Sequence, residues 1–393
     1  MTSSDLQLFT PLTLGEDLTL KNRIVLAPMG RARADPVTRV ASENNATYYE
    51  QRAGAGLLIT DATSVSEQAH GWYGAPALYT QEHTDGWKKV TERVHAKNGK
   101  IFVQLWHMGR MGHSSFNAKR ELVSASAVPL PGGSGLSDFI EGDDVPVSGF
   151  TKNVKGEAVP YETPRALTTE EVAAVVDDFR KSAKLAKAAG FDGVEIHGGN
   201  SYLVDQFLQS SSNKRTDKYG GSFENRARFL LEIIEALKTV WPAHRIGLRI
   251  APNSGYGGMG CPDNAEFFTY LLETLSQIEL SYVSILDGFG FGYHDKCRLL
   301  TAFDAKKHFK GLVLANNSYS RDTAEDVIRS GAADFVSFGR SYISNPDLAE
   351  RFEHDWPLAP EPPYEHYWDT TLGGAGYIDY PVYSPEAKQE EVP

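Results

Sequence analysis

Gly193-Val194-Glu195-Ile196-His197-Gly198-Gly199-Asn200-Ser201-Tyr202-Leu203 is the stretch on which the fold turns. Its first residues form a short apolar, β-prone run, and an imidazole, a carboxamide and a phenol follow within six residues. If the run is a strand of a parallel barrel, all three groups leave its carboxyl end, where barrel enzymes carry their chemistry. Two neutral hydrogen-bond donors and one weak acid suit a substrate carbonyl. A metal would want more imidazoles, thiolates or carboxylates, so no metal site is expected.

Working outward, runs of the same kind recur at residues 23–29, 56–61, 100–106, 193–197, 245–250, 282–287, 311–315 and 335–339. Between them, residues 168–189, 224–240, 263–278 and 320–330 place apolar side chains three and four apart, the period of an amphipathic helix. Strand and helix in alternation imply a parallel sheet, and eight such units favour a closed (β/α)₈ TIM barrel over an open sheet. The alternation breaks at about residues 111–165, a Gly-, Pro- and Ser-rich excursion after the third strand. It is too long for an ordinary loop and is read as an insertion at the mouth, with a β-hairpin in it. A single barrel domain over residues 1–393 with an extended C-terminal tail is expected.

Composition narrows the function. The chain has 393 residues, 41% hydrophobic and 23% charged, as in a globular protein with a sizeable core. A net charge of -12 argues against a duplex-binding surface, so nucleic acid is not an expected partner. Two cysteines, Cys261 and Cys297, provide neither a disulfide framework nor a thiolate metal motif. No secretory signal and no membrane-length apolar run is visible, which makes a cytoplasmic location the expectation. A monomer or a homodimer is expected.

Residues at the carboxyl ends of the runs can be set around one mouth: Pro28 and Gly30 after the first, Ala62 after the second, Gln104 and Trp106 in the third. Arg249 lies in the fifth, and Gly339 and Arg340 close the eighth. Few polar groups in otherwise apolar strands suit a flat heteroaromatic ring that bears a phosphate. The loops after strands seven and eight are the usual phosphate site of barrels, here Asn316-Asn317-Ser318 and Gly339-Arg340. Arg340 can neutralise the phosphate charge.

With these residues in place, the chain resembles the Old Yellow Enzyme family of FMN-dependent ene-reductases, over about residues 8–381. The most specific pieces are Lys21-Asn22-Arg23-Ile24-Val25-Leu26-Ala27-Pro28-Met29, Gln104-Leu105-Trp106-His107, residues 197–226, and Ile343-Ser344-Asn345-Pro346-Asp347-Leu348. The resemblance implies tightly bound FMN, reduced by NADPH or NADH, across the barrel mouth. Hydride then passes to the β-carbon of an electron-poor alkene conjugated to a carbonyl or nitro group. It further implies that His197 and Asn200 hold the substrate oxygen and that Tyr202 protonates the α-carbon. Arg249 would lie by the flavin N1 and C2 oxygen, Gln104 by the pyrimidine edge, and Pro28, Gly30 and Ala62 along the ring. Asn317, Ser318, Gly339 and Arg340 would hold the phosphate. Trp106 is read as a pocket wall and Trp72-Tyr73 as its rim.

Three departures from the family pattern stand out. Gly30 replaces a Thr or Cys, removing a side-chain hydrogen bond to the flavin C4 oxygen. Asn317-Ser318 stands where a Gly-Gly is common. The segment Asp369-Thr370-Thr371-Leu372-Gly373-Gly374 lacks an aromatic pair that would roof the substrate. Two alternatives to ene reduction are kept: another redox or isomerisation reaction on the same flavin barrel, and a flavin-free barrel that serves as a binding protein.

Overall fold

A computed structural model of the chain describes residues 6–131, 150–287 and 292–384. It starts with a hairpin, β1 (Leu12–Leu14) and β2 (Leu18–Leu20), and then enters the barrel with β3 (Ile24–Leu26), β4 (Leu57–Ser64) and β5 (Ile101–Trp106). Short strands β6 (Val123–Ser124), β7 (Phe150–Lys152), β8 (Ala158–Pro160) and β9 (Arg165–Ala166) interrupt it. The barrel resumes with β10 (Gly193–Gly198), β11 (Ile246–Ile250), β12 (Tyr282–Leu286), β13 (Val313–Asn316) and β14 (Phe335–Phe338). β14 pairs in parallel with β3, which closes an eight-stranded (β/α)₈ barrel. All eight apolar runs are its strands. Each of these strands is buried nearly throughout because a parallel barrel covers both faces.

Strand parity sorts the residues. Val194, Ile196, Leu248 and Val283 face outward into the layer under the helices. Phe102, Tyr282, Leu314 and Phe335 fill the barrel floor, and Leu14, Leu18 and Leu20 of the hairpin pack with them to seal it. The rings fit because their neighbours are glycines: a Cβ on Gly193 would lie 2.4 Å from Phe102, and one on Gly247 2.4 Å from Tyr282. Above that floor the inward positions turn polar: Gln104, Glu195, Arg249, Ser284, Asn316 and Ser337, all buried.

The outer helices are α1 (Glu43–Gln51), α2 (Gln81–Ala96), α3 (Thr169–Ala188), α4 (Leu203–Leu208), α5 (Phe223–Lys238), α6 (Asn264–Leu275), α7 (Ala302–His308) and α8 (Arg321–Arg329). Thr168 with Glu171 and Ser320 with Thr323 form capping boxes that start α3 and α8. Among the described residues no helix is long and apolar enough to cross a membrane.

In the excursion after β5, β7 and β8 form the expected hairpin, while residues 132–149 lie outside the described residues. Its Leu130 and Tyr161 join Trp106, Met108, Met111 and Tyr256 in a small aromatic cluster at the mouth. The chain after α9 (Arg340–Ser344) and α10 (Leu348–His354) is not an extended tail. It folds back over α1, where Tyr377 is buried, stacks on Tyr48 at 4.3 Å and receives a hydrogen bond from Asn45 Nδ2. Arg31 fixes this return by donating to the His366 and Gly376 carbonyls. The last residues, 385–393, lie outside the described residues.

Candidate functional site at the barrel mouth

A cavity of about 1260 Å³ opens at the carboxyl ends of the strands. Pro28, Gly30, Ala62, Gln104, Trp106, His197, Asn200, Tyr202, Arg249, Asn317, Ser318, Gly339 and Arg340 all line it. Tyr73 does not; its neighbour Trp72 does, and the Tyr73 ring sits instead against Gly156 of the β7–β8 turn. In a loop between strands, parity does not tell which of two adjacent aromatics faces inward.

The loop after β10 aims the polar groups. Asn200 and Ser201 both take left-handed backbone conformations, φ 55° and 64°. Below them, Asp205 of α4 accepts the Ser201 N–H at 2.9 Å, and Gln206 donates to the Ser201 carbonyl at 2.6 Å. The buried Asp205 carboxyl is pushed up to about 7, chiefly by desolvation. With the loop so pinned, the Tyr202 ring stands edge-on to His197 at 4.8 Å and to Trp106 at 5.1 Å.

His197 is held neutral: burial, and then the nearby Arg249 cation, keep its pKa well below the usual imidazole value. Its Nδ1 accepts the Gly199 N–H at 3.4 Å, so the proton of the neutral ring lies on Nε2. The Tyr202 phenol is shifted upward by burial and by Tyr161, so it keeps its proton at neutral pH. Asn200 completes a trio of neutral groups, its Oδ1 buried without a partner among the described residues.

Two strands from β10, β4 carries one extra residue relative to β5 between Ile59 and Ala62, a bulge of the kind that re-aims side chains beside active sites. It turns Asp61 toward the first loop, where its carboxylate accepts the Arg31 N–H at 2.7 Å and the Tyr49 hydroxyl at 2.5 Å. That fixes the Pro28–Gly30 wall. A Cβ on Gly30 would meet nothing within 4 Å, so this position is open rather than forced to be glycine by contact.

In the loop after β13, Asn317 and Ser318 keep positive φ, 104° and 63°, although neither is glycine. Arg340, about half exposed, donates to Ser318 Oγ at 3.3 Å. Among the described residues, Asn317 Nδ2 is buried without a partner, as are Arg249 Nη1 and Trp106 Nε1. Each such group carries a desolvation cost of ~1–3 kcal/mol that a bound ligand can offset. Apolar walls, a cationic guanidinium at one edge and unpaired donors by a late Gly-Arg fit a planar heteroaromatic ring with a phosphate tail.

Aromatic side chains reach the mouth from just before the stretch around Leu372. α11 (Glu365–Trp368) and the residue before it bring Tyr364, Tyr367 and Trp368 into the cavity lining. Tyr364 and Tyr367 stack at 5.7 Å, and Trp368 stands edge-on to Tyr364 at 5.2 Å. The sequence displays this aromatic cluster plainly but gives no sign that it returns to the mouth. Nor does any local motif mark Tyr256 or Tyr161 as members of the cluster at the mouth.

A parallel barrel with this mouth defines a flavin-dependent oxidoreductase. The chain belongs to the NADH:flavin oxidoreductase / NADH oxidase family, whose model matches residues 7–359, and it is an NAD(P)H-dependent enzyme of that class. It is 38% identical over 380 residues to a putative 12-oxophytodienoate reductase 5 of Oryza sativa subsp. japonica, covering 93% of this chain and 92% of that one. It is 37% identical to a probable flavin mononucleotide-dependent alkene reductase of Leishmania infantum, over 94% of this chain and 96% of that protein. Among solved structures, an Old Yellow Enzyme homologue from Zymomonas mobilis superposes with a TM-score of 0.87 at 35% identity, over 96% of this chain and all of that one. Morphinone reductase in complex with tetrahydroNAD superposes with a TM-score of 0.84 at 37% identity, over 96% and 98% of the two chains.

Proposed function

We propose that this protein is an FMN-dependent ene-reductase that adds hydride and a proton across the double bond of α,β-unsaturated carbonyl or nitro compounds. The observation that carries the reading is the trio at the end of β10: a neutral His197 whose proton lies on Nε2, with Asn200 and a protonated Tyr202 beside it. FMN, when bound and reduced by a nicotinamide, supplies the hydride for the β-carbon. The remaining steps fall to the chain. His197 Nε2–H and Asn200 hold the substrate oxygen and stabilise the enolate-like charge that grows there. Such donors act more strongly on the transition state than on the ground state. Tyr202 then gives its phenolic proton to the α-carbon, and solvent restores it. Arg249, Gln104, Pro28, Gly30 and Ala62 hold the ring, and Asn317, Ser318, Gly339 and Arg340 hold the phosphate. Trp72, Trp106 and the Tyr364 cluster exclude water above the acceptor.

The test is an anaerobic visible spectrum of the purified protein, followed by NADPH or NADH and then 2-cyclohexenone. Flavin absorbance should bleach with the nicotinamide and return with the enone. In Tyr202→Phe the bleaching should be unchanged and the return slowed by ~10²–10⁴, the usual worth of a placed general acid. A variant that returns at the parental rate removes Tyr202 as the acid, and a parent that does not return in any enone or nitroalkene refutes ene reduction.

A further inference from the structure

Beneath the mouth lies a carboxylate that the reaction above does not use. Glu195 is fully buried, two residues before His197 and on the same inward face of β10, in register with Gln104 of β5. Its Oε1 accepts a hydrogen bond from Gln104 Nε2 at 2.7 Å, and its Oε2 accepts one from the Tyr282 hydroxyl at 2.8 Å. Burial pushes its pKa up, and the Arg249 guanidinium, the Tyr282 hydroxyl and the Gln104 amide pull it back toward the ionised form. A carboxylate only accepts, so this partner decides which way the Gln104 carboxamide is turned. The amide nitrogen is committed downward, and the amide oxygen is the atom left for the cavity that Gln104 lines. Next to it, Arg249 donates through Nη2 to Asn316 Oδ1 at 2.9 Å and keeps Nη1 buried without a partner among the described residues. The floor therefore presents one acceptor and one cationic donor.

We propose that Glu195 is a positioning residue that locks the Gln104 carboxamide with its oxygen toward the ligand, so that the site selects a ring edge carrying an imide N–H beside a carbonyl. The inference rests on the FMN reading, since the pyrimidine edge of that ring has an N3–H donor flanked by carbonyl acceptors. Without the carboxylate, the Gln104 amide is free to turn its NH₂ toward the same N–H, setting donor against donor. Arg249 would still meet the carbonyl, so binding is weakened and not abolished.

The experiment is a double-mutant cycle on the full chain, stripped of flavin and titrated with FMN, with quenching of flavin fluorescence as the readout. Glu195→Gln is nearly isosteric and should weaken FMN about 10-fold. Gln104→Leu should weaken it by a similar factor, and adding Glu195→Gln to Gln104→Leu should cost nothing more, because Glu195 acts only through the amide it orients. Tyr282→Phe leaves the carboxylate and should keep parental affinity within about 2-fold. With ¹⁵N-labelled FMN, the N3 resonance should move toward its free-solution position in Glu195→Gln and stay in place in Tyr282→Phe. Additive losses in the double variant, or an unmoved N3 resonance in Glu195→Gln, overturn the role of Glu195 while leaving FMN binding intact. A parental protein that does not bind FMN overturns the cofactor reading itself, and this inference with it.

Discussion

Replacing Asp205 with asparagine tests whether the loop after β10 is held by a carboxyl that titrates near neutrality. In the folded protein that carboxyl is pushed up to about 7 by burial, against ~3.9 in an unfolded chain. The sign follows from proton counting. Between about pH 4 and 7 the unfolded chain has released this proton and the native protein has kept it, so stability falls as pH rises through that window and is flat above it. The full term is about three pKa steps of ~1.36 kcal/mol, or ~4 kcal/mol. The carboxamide of the Asp205→Asn variant never ionises and escapes the term, but it no longer accepts two donors. Asp205 Oδ1 takes the Gln209 Nε2–H at 2.8 Å, and Gln209 is kept from turning because its Oε1 receives the Gly260 N–H and Asn264 Nδ2. One unpaired donor costs the variant ~1–3 kcal/mol at every pH. The variant should therefore be slightly less stable than the parent near pH 5 and more stable near pH 8, a swing of ~2.7 kcal/mol over the two pKa steps between. For 393 residues at ~2.1 cal/mol/K each, the unfolding entropy is ~0.8 kcal/mol/K, so the swing is about 3 °C in melting temperature. Calorimetric scans of both proteins in matched buffers measure the difference directly, other titrating groups cancelling. A difference that stays constant from pH 5 to 8 would show that Asp205 is already ionised in the native protein and refute the reasoning.

Two further outcomes are expected. Gly30→Thr should fold normally, since a Cβ there meets nothing within 4 Å, and should raise the flavin midpoint potential by ~20–30 mV, about one hydrogen bond spread over two electrons. Spectroelectrochemical titration checks it, and an unchanged potential means that the hydroxyl does not reach the ring. Because His197 is held neutral by burial and Arg249, the imidazole should add no pH dependence of its own to the enone-dependent return of flavin absorbance in stopped flow between about 5 and 8, and any step near 7 should come from Asp205 and persist in His197→Gln. A rate that follows a group titrating near 6.5, and loses that dependence in His197→Gln, would show that the imidazole ionises after all.

How much of this was legible follows from where each residue's partner lies. Strands and helices came through because their signals are local: a β-prone apolar run, a three-four period, a capping Ser or Thr. That most of the expected residues line one cavity is legible because each strand delivers a residue at a fixed place, its carboxyl end. The return of the C-terminal segment did not, since it depends on Tyr377 finding Tyr48 and on Arg31 reaching two distant carbonyls. At Asn317 and Ser318 the sequence showed side chains in place of glycines, but not that the backbone keeps its left-handed turn despite them.

Glu195 is the instructive case, because parity alone could have exposed it. Val194 and Ile196 are the apolar residues of that run and belong under the helices, so Glu195 and His197 must share the inward face. A carboxylate inside a barrel is tolerated only where donors meet it. The inward polar groups already in hand were Gln104 and Arg249, one on each neighbouring strand. An acid between an amide and a guanidinium binds the first and attracts the second, and in doing so decides which atom of the amide is left to face a ligand. The sequence thus held the three members of the floor; what it lacked was the level of each strand relative to the next, which only closure of the barrel sets.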